Sequence, residues 1–147
     1  MLNAVFDAQA IAIESHGGEI LKFIGDGLLA IFPITEEAEE GQAAKRALAA
    51  AGEVFAAVRH ALTKAMLAGE PPVRMVVALH SGTVIYGNIG AAALDFTVIG
   101  PAVNLVSRVE AVAKALDLPI AVSEAFARAY GGNLRRSARI AGSWRIA

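Results

Sequence analysis

Two groups of side chains in this 147-residue chain have the types and spacing that phosphate chemistry uses. The first is Asp26, which sits between two apolar runs in KFIGDGLLAIF, with Lys22 four residues before it. Apolar runs on both sides of a Gly/Asp pair predict a β-hairpin, and a carboxylate held at its tip can bind Mg²⁺. An aspartate in a tight turn is also common for structural reasons, because it hydrogen-bonds its own backbone. The pattern alone leaves both interpretations open.

The second group is Asn104 and Arg108, four residues apart in TVIGPAVNLVSR. On a helix this spacing places both side chains on one face. An adjacent amide and guanidinium can hold phosphate oxygens and stabilise charge that develops in a transition state. A solvated helical arginine with a polar neighbour is the alternative, because arginines on helix surfaces are ordinary.

Composition excludes several classes of protein. The length indicates one domain over residues 1–147, and 56% hydrophobic against 18% charged residues excludes a disordered chain. A net charge of −1 without a basic block disfavours nucleic-acid binding. The absence of cysteine excludes disulfides and thiolate metal sites. With no apolar stretch of transmembrane length and no signal-type start, we expect a soluble cytoplasmic domain without a membrane segment.

Periodicity and turn signals predict the elements that position these residues. The pattern predicts a helix over residues 2–16, a hairpin over 19–32, and a long helix that Thr35 caps and whose core face runs from Ala44 to Met66. The later elements are expected to be a second hairpin (73–79 and 83–89), a strand (96–99), a helix from Gly100-Pro101 to about Leu116, a strand (119–122), and a helix capped by Ser123 through Tyr130. This order predicts an α+β sandwich with a mixed or antiparallel sheet covered by helices.

Three segments in register resemble the catalytic domain of the class III nucleotide cyclases, the adenylate and guanylate cyclase family. They are KFIGDGLLAIF (residues 22–32), HSGTVIYGNIG (80–90) and DFTVIGPAVNLVSRVE (95–110). Their order and spacing agree with the family from Leu2 to about Tyr130. The resemblance implies a ferredoxin-like cyclase sandwich.

The resemblance also implies a reaction, in which ATP closes to 3′,5′-cyclic AMP and pyrophosphate with Mg²⁺ or Mn²⁺ assisting. Asp26 matches one of two metal-binding aspartates. Asn104 matches the asparagine that orients the ribose, and Arg108 the arginine that stabilises the α-phosphoryl transition state. Lys22 and Thr97 match the pair that reads adenine, with lysine donating to N1 and threonine accepting from the N6 amino group.

Substrate and partner follow from the same comparison. Guanylate cyclases tend to carry an acidic residue at the position of Lys22, so this chain is expected to favour ATP, because a mismatch leaves a buried polar group unpaired. His80, Ser81 and Asn88 are expected to be structural or turn residues. In the family the site lies between two subunits, so we expect a second cyclase domain in a homodimer or heterodimer.

The chain departs from the family at both ends and in one loop. The family's first strand, which carries the other metal aspartate, has no counterpart, and Asp7 is not a substitute. We therefore expect an open strand edge and a site with one protein carboxylate. The loop before Asp95 is short and lacks an arginine often found there, and residues 135–147 do not clearly match the family's last strands.

Three hypotheses follow. The chain is a shortened adenylate cyclase, a catalytically impaired cyclase-like domain that binds nucleotide or pairs with a complete partner, or an interaction module without nucleotide chemistry. The five matched residues favour the first two. By itself the chain is expected to have little cyclase activity, and to gain activity when a complete cyclase domain supplies the metal site.

Overall fold

The computed structural model of this protein describes residues 2–25, 27–70, 74–88 and 96–131. Its helices are α1 (Leu2–Ser15), α2 (Glu40–Leu67), α3 (Pro101–Ala115) and α4 (Glu124–Tyr130), with a 3₁₀ turn at Glu37–Glu39 before α2. Its strands are β1 (Glu19–Ile24), β2 (Gly27–Ile31), β3 (Val77–Leu79), β4 (Ile85–Asn88), β5 (Phe96–Ile99) and β6 (Ile120–Val122).

The strands form three separate pairs within the described ranges. β1 and β2 are antiparallel, as the hairpin prediction requires, β3 and β6 are parallel, and β4 and β5 are antiparallel. The predicted second hairpin, in which residues 73–79 would pair with 83–89, is wrong. All three residues of β3 are buried, as is typical of a parallel strand covered on both faces, and β3 accordingly pairs with β6.

The core lies where the helices cover these strand pairs, which confirms the α+β architecture. α3 packs on β3 and β6, and α2 packs on α1, α4 and β3. The largest side chains with almost no exposed surface come from both helices and strands: Ile13, Leu28, Val54, Val58, Val77 and Val109.

The two ends of α2 differ from expectation. Thr35 does not cap the helix, because the 3₁₀ turn that precedes α2 has Glu36 as its cap residue, and Thr35 lies one residue earlier. The Thr35 hydroxyl donates to the Glu39 carboxylate at 2.6 Å. At the other end Met66 is 62% exposed, so the core face stops before the last turn of α2.

Three other boundaries also bear on the sequence predictions. β3 begins at Val77, later than the predicted start at Val73, which lies outside the described residues, and Asn88 belongs to β4 rather than to a loop. The cap of α4 is confirmed, since the Ser123 hydroxyl accepts from the Phe126 amide at 2.9 Å.

Ile13 and Ile11 on α1 provide a matched test of the core. Ile13 is fully buried against the main cluster, whereas Ile11 is 65% exposed. We expect Ile13→Ala to lower the free energy of unfolding by about 2–5 kcal/mol, through lost burial and the cavity that remains. Ile11→Ala should change it by less than about 0.5 kcal/mol. Urea unfolding of both variants measures this, and equal losses would contradict the assignment of the core.

Candidate active site

Lys22 lies on β1 of the hairpin, and Asp26 falls in the sequence between the end of β1 and the start of β2. Ile24 pairs with Gly27 across the turn, and Gly25 adopts a positive φ of 60°, which favours glycine. Asp26 itself lies outside the described residues. The register shifts between Ile20 and Lys22, so β1 contains a bulge that the sequence pattern did not reveal. A bulge redirects the following side chain, and Lys22 is exposed while Leu21 is half-buried.

The strand β5 leads directly into the helix that carries the second group. Thr97 lies in β5 opposite Gly87 of β4, and only its backbone is described. Pro101 is the first residue of α3, as predicted. Asn104 and Arg108 are both exposed, on the side of α3 away from its buried residues Ala102, Val106, Val109 and Ala113.

Strands β1 and β5 contact each other. The strand that carries Lys22 therefore lies beside the strand that carries Thr97, which continues into the helix of Asn104 and Arg108. Neither Lys22 nor Arg108 forms an ion pair within the described part of the chain. Both cations are therefore available to bind an anion or a polar base.

The same elements expose apolar side chains. The fraction of the side chain exposed to solvent is 57% for Phe23 on β1, 63% for Ile85 on β4 and 48% for Ile99 on β5. Ile24 on β1 and Leu105 on α3 are also exposed. Exposed apolar groups that surround polar candidate residues are typical of a surface that another protein covers.

A cleft of about 520 Å³ lies elsewhere, between β2 and β3. Its floor is apolar and comes from β2, β3, α2 and α3, and its polar wall comprises Glu37, Glu40, His80 and Ser81. Of the candidate residues whose side chains are described, Lys22, Asn104 and Arg108, none lines it. Among the described strands β2 pairs only with β1 and β3 only with β6, so in those ranges the cleft lies between two strand edges that do not pair with each other.

Carboxylate and imidazole groups do not converge on a metal site in the described ranges. No group of three or more His, Cys, Asp or Glu side chains there is placed to hold a metal ion.

None of the helices in the described ranges has the length and apolar character needed to span a membrane.

His80 is held at the end of β3 by hydrogen bonding. Its Nδ1 atom lies 2.7 Å from the Ser123 hydroxyl, which also caps α4. Burial lowers the pKa of His80, so the neutral ring is favoured even though Glu37 and Glu40 line the same cleft. The structural role expected for His80 thus becomes a specific link between β3 and α4.

Residues 1–136 match the family model of the adenylate and guanylate cyclase catalytic domain. The chain belongs to this family. Its solved neighbours agree, since the crystal structure of the guanylyl cyclase Cya2 superposes with a TM-score of 0.74 at 31% identity. That alignment covers 89% of this chain and 65% of the Cya2 chain. A bacterial light-regulated adenylyl cyclase gives a TM-score of 0.68 at 26% identity, over 90% of this chain and 38% of that one.

Two curated relatives of this cyclase domain have names that identify them as adenylate cyclases. An adenylate cyclase of Anabaena cylindrica is 31% identical over 131 residues, which are 86% of this chain and 25% of that protein. Adenylate cyclase 1 of Rhizobium meliloti is 31% identical over 119 residues, 78% of this chain and 17% of that protein. The chain thus spans about a quarter or less of the length of these relatives.

The lowered pKa of His80 predicts how stability changes with pH. Because the unfolded chain binds a proton more readily, this contribution to stability is complete above the ordinary histidine pKa of about 6.5 and is lost as pH falls below it. We expect the wild-type melting temperature to fall between pH 7 and pH 5 more than that of His80→Gln. The exposed His60→Gln is the control and should fall like wild type. Equal slopes for all three proteins would exclude His80 as the cause.

Proposed function

We propose that this cyclase domain converts ATP to 3′,5′-cyclic AMP and pyrophosphate, as one half of a site completed by a second cyclase domain. The observation that supports this most is the joint exposure of Asn104 and Arg108 on α3, at the end of the strand that carries Thr97 and contacts the strand of Lys22. Adenine, ribose and α-phosphate follow one another in the nucleotide, and the matched residues follow the same order from β1 and β5 to α3.

Arg108 and Asn104 would act on the reacting end of the nucleotide. The guanidinium can donate two hydrogen bonds to oxygens of the α-phosphate, where negative charge develops as the 3′-oxygen attacks and pyrophosphate leaves. The Asn104 amide, one turn earlier, can hold the ribose so that this oxygen lies in line with the phosphorus. The first turn of α3 contains no acidic side chain, which leaves its positive helix end uncompensated and favours phosphate nearby.

Lys22 and Thr97 would select the base. Lysine donates to adenine N1, and a threonine hydroxyl can accept from the N6 amino group. Guanine presents an N–H at position 1 and a carbonyl at position 6. The Lys22 ammonium and the guanine N1–H are both donors, so they could not form a hydrogen bond. A buried unpaired donor costs about 1–3 kcal/mol, which favours ATP over GTP about tenfold or more.

A divalent cation fits the remaining candidate. Asp26, between Gly25 and Gly27 in the sequence, would supply the hard oxygen ligand that Mg²⁺ or Mn²⁺ prefers. When bound, the metal would polarise the phosphate oxygens and favour deprotonation of the attacking hydroxyl. One carboxylate together with substrate phosphates can hold Mg²⁺, and further ligands would come from outside the described residues.

The second cyclase domain would cover the exposed apolar side chains around the site. Phe23, Ile85 and Ile99 lie on the strands next to Lys22 and Thr97, so a partner on this surface would bury them and exclude water from the nucleotide. The partner would be a second copy in a homodimer or a different cyclase domain in a heterodimer. The cytoplasm is the compartment that supplies ATP and Mg²⁺ for this reaction.

Complementation tests the proposed reaction. This chain is mixed with a complete cyclase catalytic domain whose own asparagine and arginine, at the positions of Asn104 and Arg108, are alanine. We expect cyclic AMP and pyrophosphate from ATP and Mn²⁺ in the mixture but little from either protein alone. Arg108→Ala in this chain should lower kcat by about 10²–10³-fold, as loss of one transition-state donor does.

The matched control for Arg108→Ala is Arg128→Ala, an exposed α4 arginine that pairs with Glu124, which should leave kcat unchanged. If heterodimers form, as sedimentation can check, and ATP binds without turnover, the chain is an impaired nucleotide-binding domain and the proposed reaction is wrong.

Base selection is tested by Lys22→Glu in the same mixture. A glutamate accepts from the guanine N1–H and repels the adenine N1 lone pair, so we expect kcat/KM for ATP to fall and the preference for ATP over GTP to drop at least about tenfold. The control Lys45→Glu changes an exposed α2 lysine and should not alter the preference. An unchanged ATP/GTP ratio in Lys22→Glu would contradict a base-reading role for Lys22.

A further inference from the structure

Residues 80–84, which connect β3 to β4, contact three helices at once. The Ser81 hydroxyl donates to the Glu40 carboxylate of α2 at 2.6 Å. The His80 ring is hydrogen-bonded to the Ser123 hydroxyl at the start of α4. Gly82 lies against Ala102 in the first turn of α3. This short connection is therefore fixed on several sides although it belongs to no helix or strand.

Gly82 has no room for a side chain. A Cβ atom there would lie 2.9 Å from the Ala102 Cβ on α3 and 2.8 Å from the His80 Nε2. Ala102 is buried in the first turn of α3, and the His80 ring is held through its other nitrogen by Ser123. Neither neighbour can move away freely, so any larger residue at position 82 would push α3 outward.

Gly100 allows a second close approach at the same helix end. Its φ of 142° is one that residues with side chains rarely adopt, and a Cβ there would lie 3.1 Å from the Thr83 carbonyl oxygen. Two glycines thus allow residues 82–84 to pass in contact with the start of α3. Asn104 follows Ala102 by two residues, and Arg108 lies one turn further along the helix.

We propose that Gly82 is a positioning residue for the cyclase reaction. Its missing side chain sets how closely the first turn of α3 approaches residues 80–84, and so where Asn104 and Arg108 meet the ribose and α-phosphate. This inference rests on the proposed function. The roles of Asn104 and Arg108 require an accurate position, since a displacement of about 1 Å can cost about 100-fold in rate.

The test compares three glycine-to-alanine variants in the complementation mixture. Gly82→Ala displaces α3. Gly18→Ala creates a similar clash, 2.6 Å from Ile13 Cγ2 and 2.8 Å from Phe32 Cζ, with residues of α1 and of the segment after β2. Gly52→Ala on α2 meets no atom within 4 Å and is the neutral control. The kcat and KM for ATP are measured well below each melting temperature, and amide hydrogen exchange is measured across α3.

We expect Gly82→Ala to lower kcat by about 10–100-fold with little change in KM, because the displaced groups act in the transition state. Exchange in the first turn of α3 should accelerate in this variant alone. Equal kcat losses in Gly82→Ala and Gly18→Ala, at equal folded fraction, would overturn the proposal, because the effect would then reflect stability only.

Two further outcomes keep the test decisive. If Gly82→Ala does not fold, Ala102→Ser is used instead, because it adds one atom to the α3 residue that lies against Gly82. Ala102→Ser should also lower kcat, but by a smaller factor. If the wild-type mixture makes no cyclic AMP, the proposed function fails, and hydrogen exchange alone then tests the contact. Faster exchange confined to α3 in Gly82→Ala supports positioning by Gly82, and unchanged exchange overturns it.

Discussion

The close approach of residues 82–84 to the first turn of α3 is the constraint on which the rest of this domain depends. Gly82 and Gly100 permit it by lacking side chains, and the hydrogen bond of His80 to Ser123 holds the approaching segment in place. On one side the segment continues β3 and the core. On the other it starts β4, whose partner β5 runs into α3. This contact therefore links the packed core to the surface that carries the candidate site residues.

The cleft and the candidate active site are different parts of the molecule. The cleft has an apolar floor and a polar wall, and Lys22, Asn104 and Arg108 do not line it. Lys22, Asn104 and Arg108 are instead exposed to water, where a single charge contact is worth only about 1 kcal/mol. A surface of this kind becomes effective when a second domain excludes water, since the same contacts strengthen in a lower dielectric. This is the physical reason why a domain of this family is expected to act in pairs.

Local chemistry made much of the fold predictable. The turn at Gly25, Pro101 at the start of α3 and the Ser123 cap each follow from one residue's backbone or hydrogen-bonding preference. Strand pairing was not predictable in the same way, because β3 pairs with β6 across about forty residues and only tertiary packing selects that partner. The bulge before Lys22 and the close contacts of Gly82 were also missed. The bulge depends on how β1 pairs with β2, and the contacts of Gly82 depend on packing against α3, although Ser81-Gly82 did mark an interruption between two apolar runs. The five candidate site residues were identified from three motifs in register. The contact between β1 and β5 could not be predicted from the spacing of those motifs.

The most direct test of where nucleotide binds is an NMR titration of this 15.2 kDa domain with ATP and Mg²⁺. Binding at the candidate site predicts that the resonances of Lys22, Thr97, Asn104 and Arg108 shift together with one affinity, while those of Glu40 and Ser81 in the cleft stay in place. Shifts confined to Glu40, Ser81 and the other residues of the cleft would contradict a nucleotide site on β1, β5 and α3.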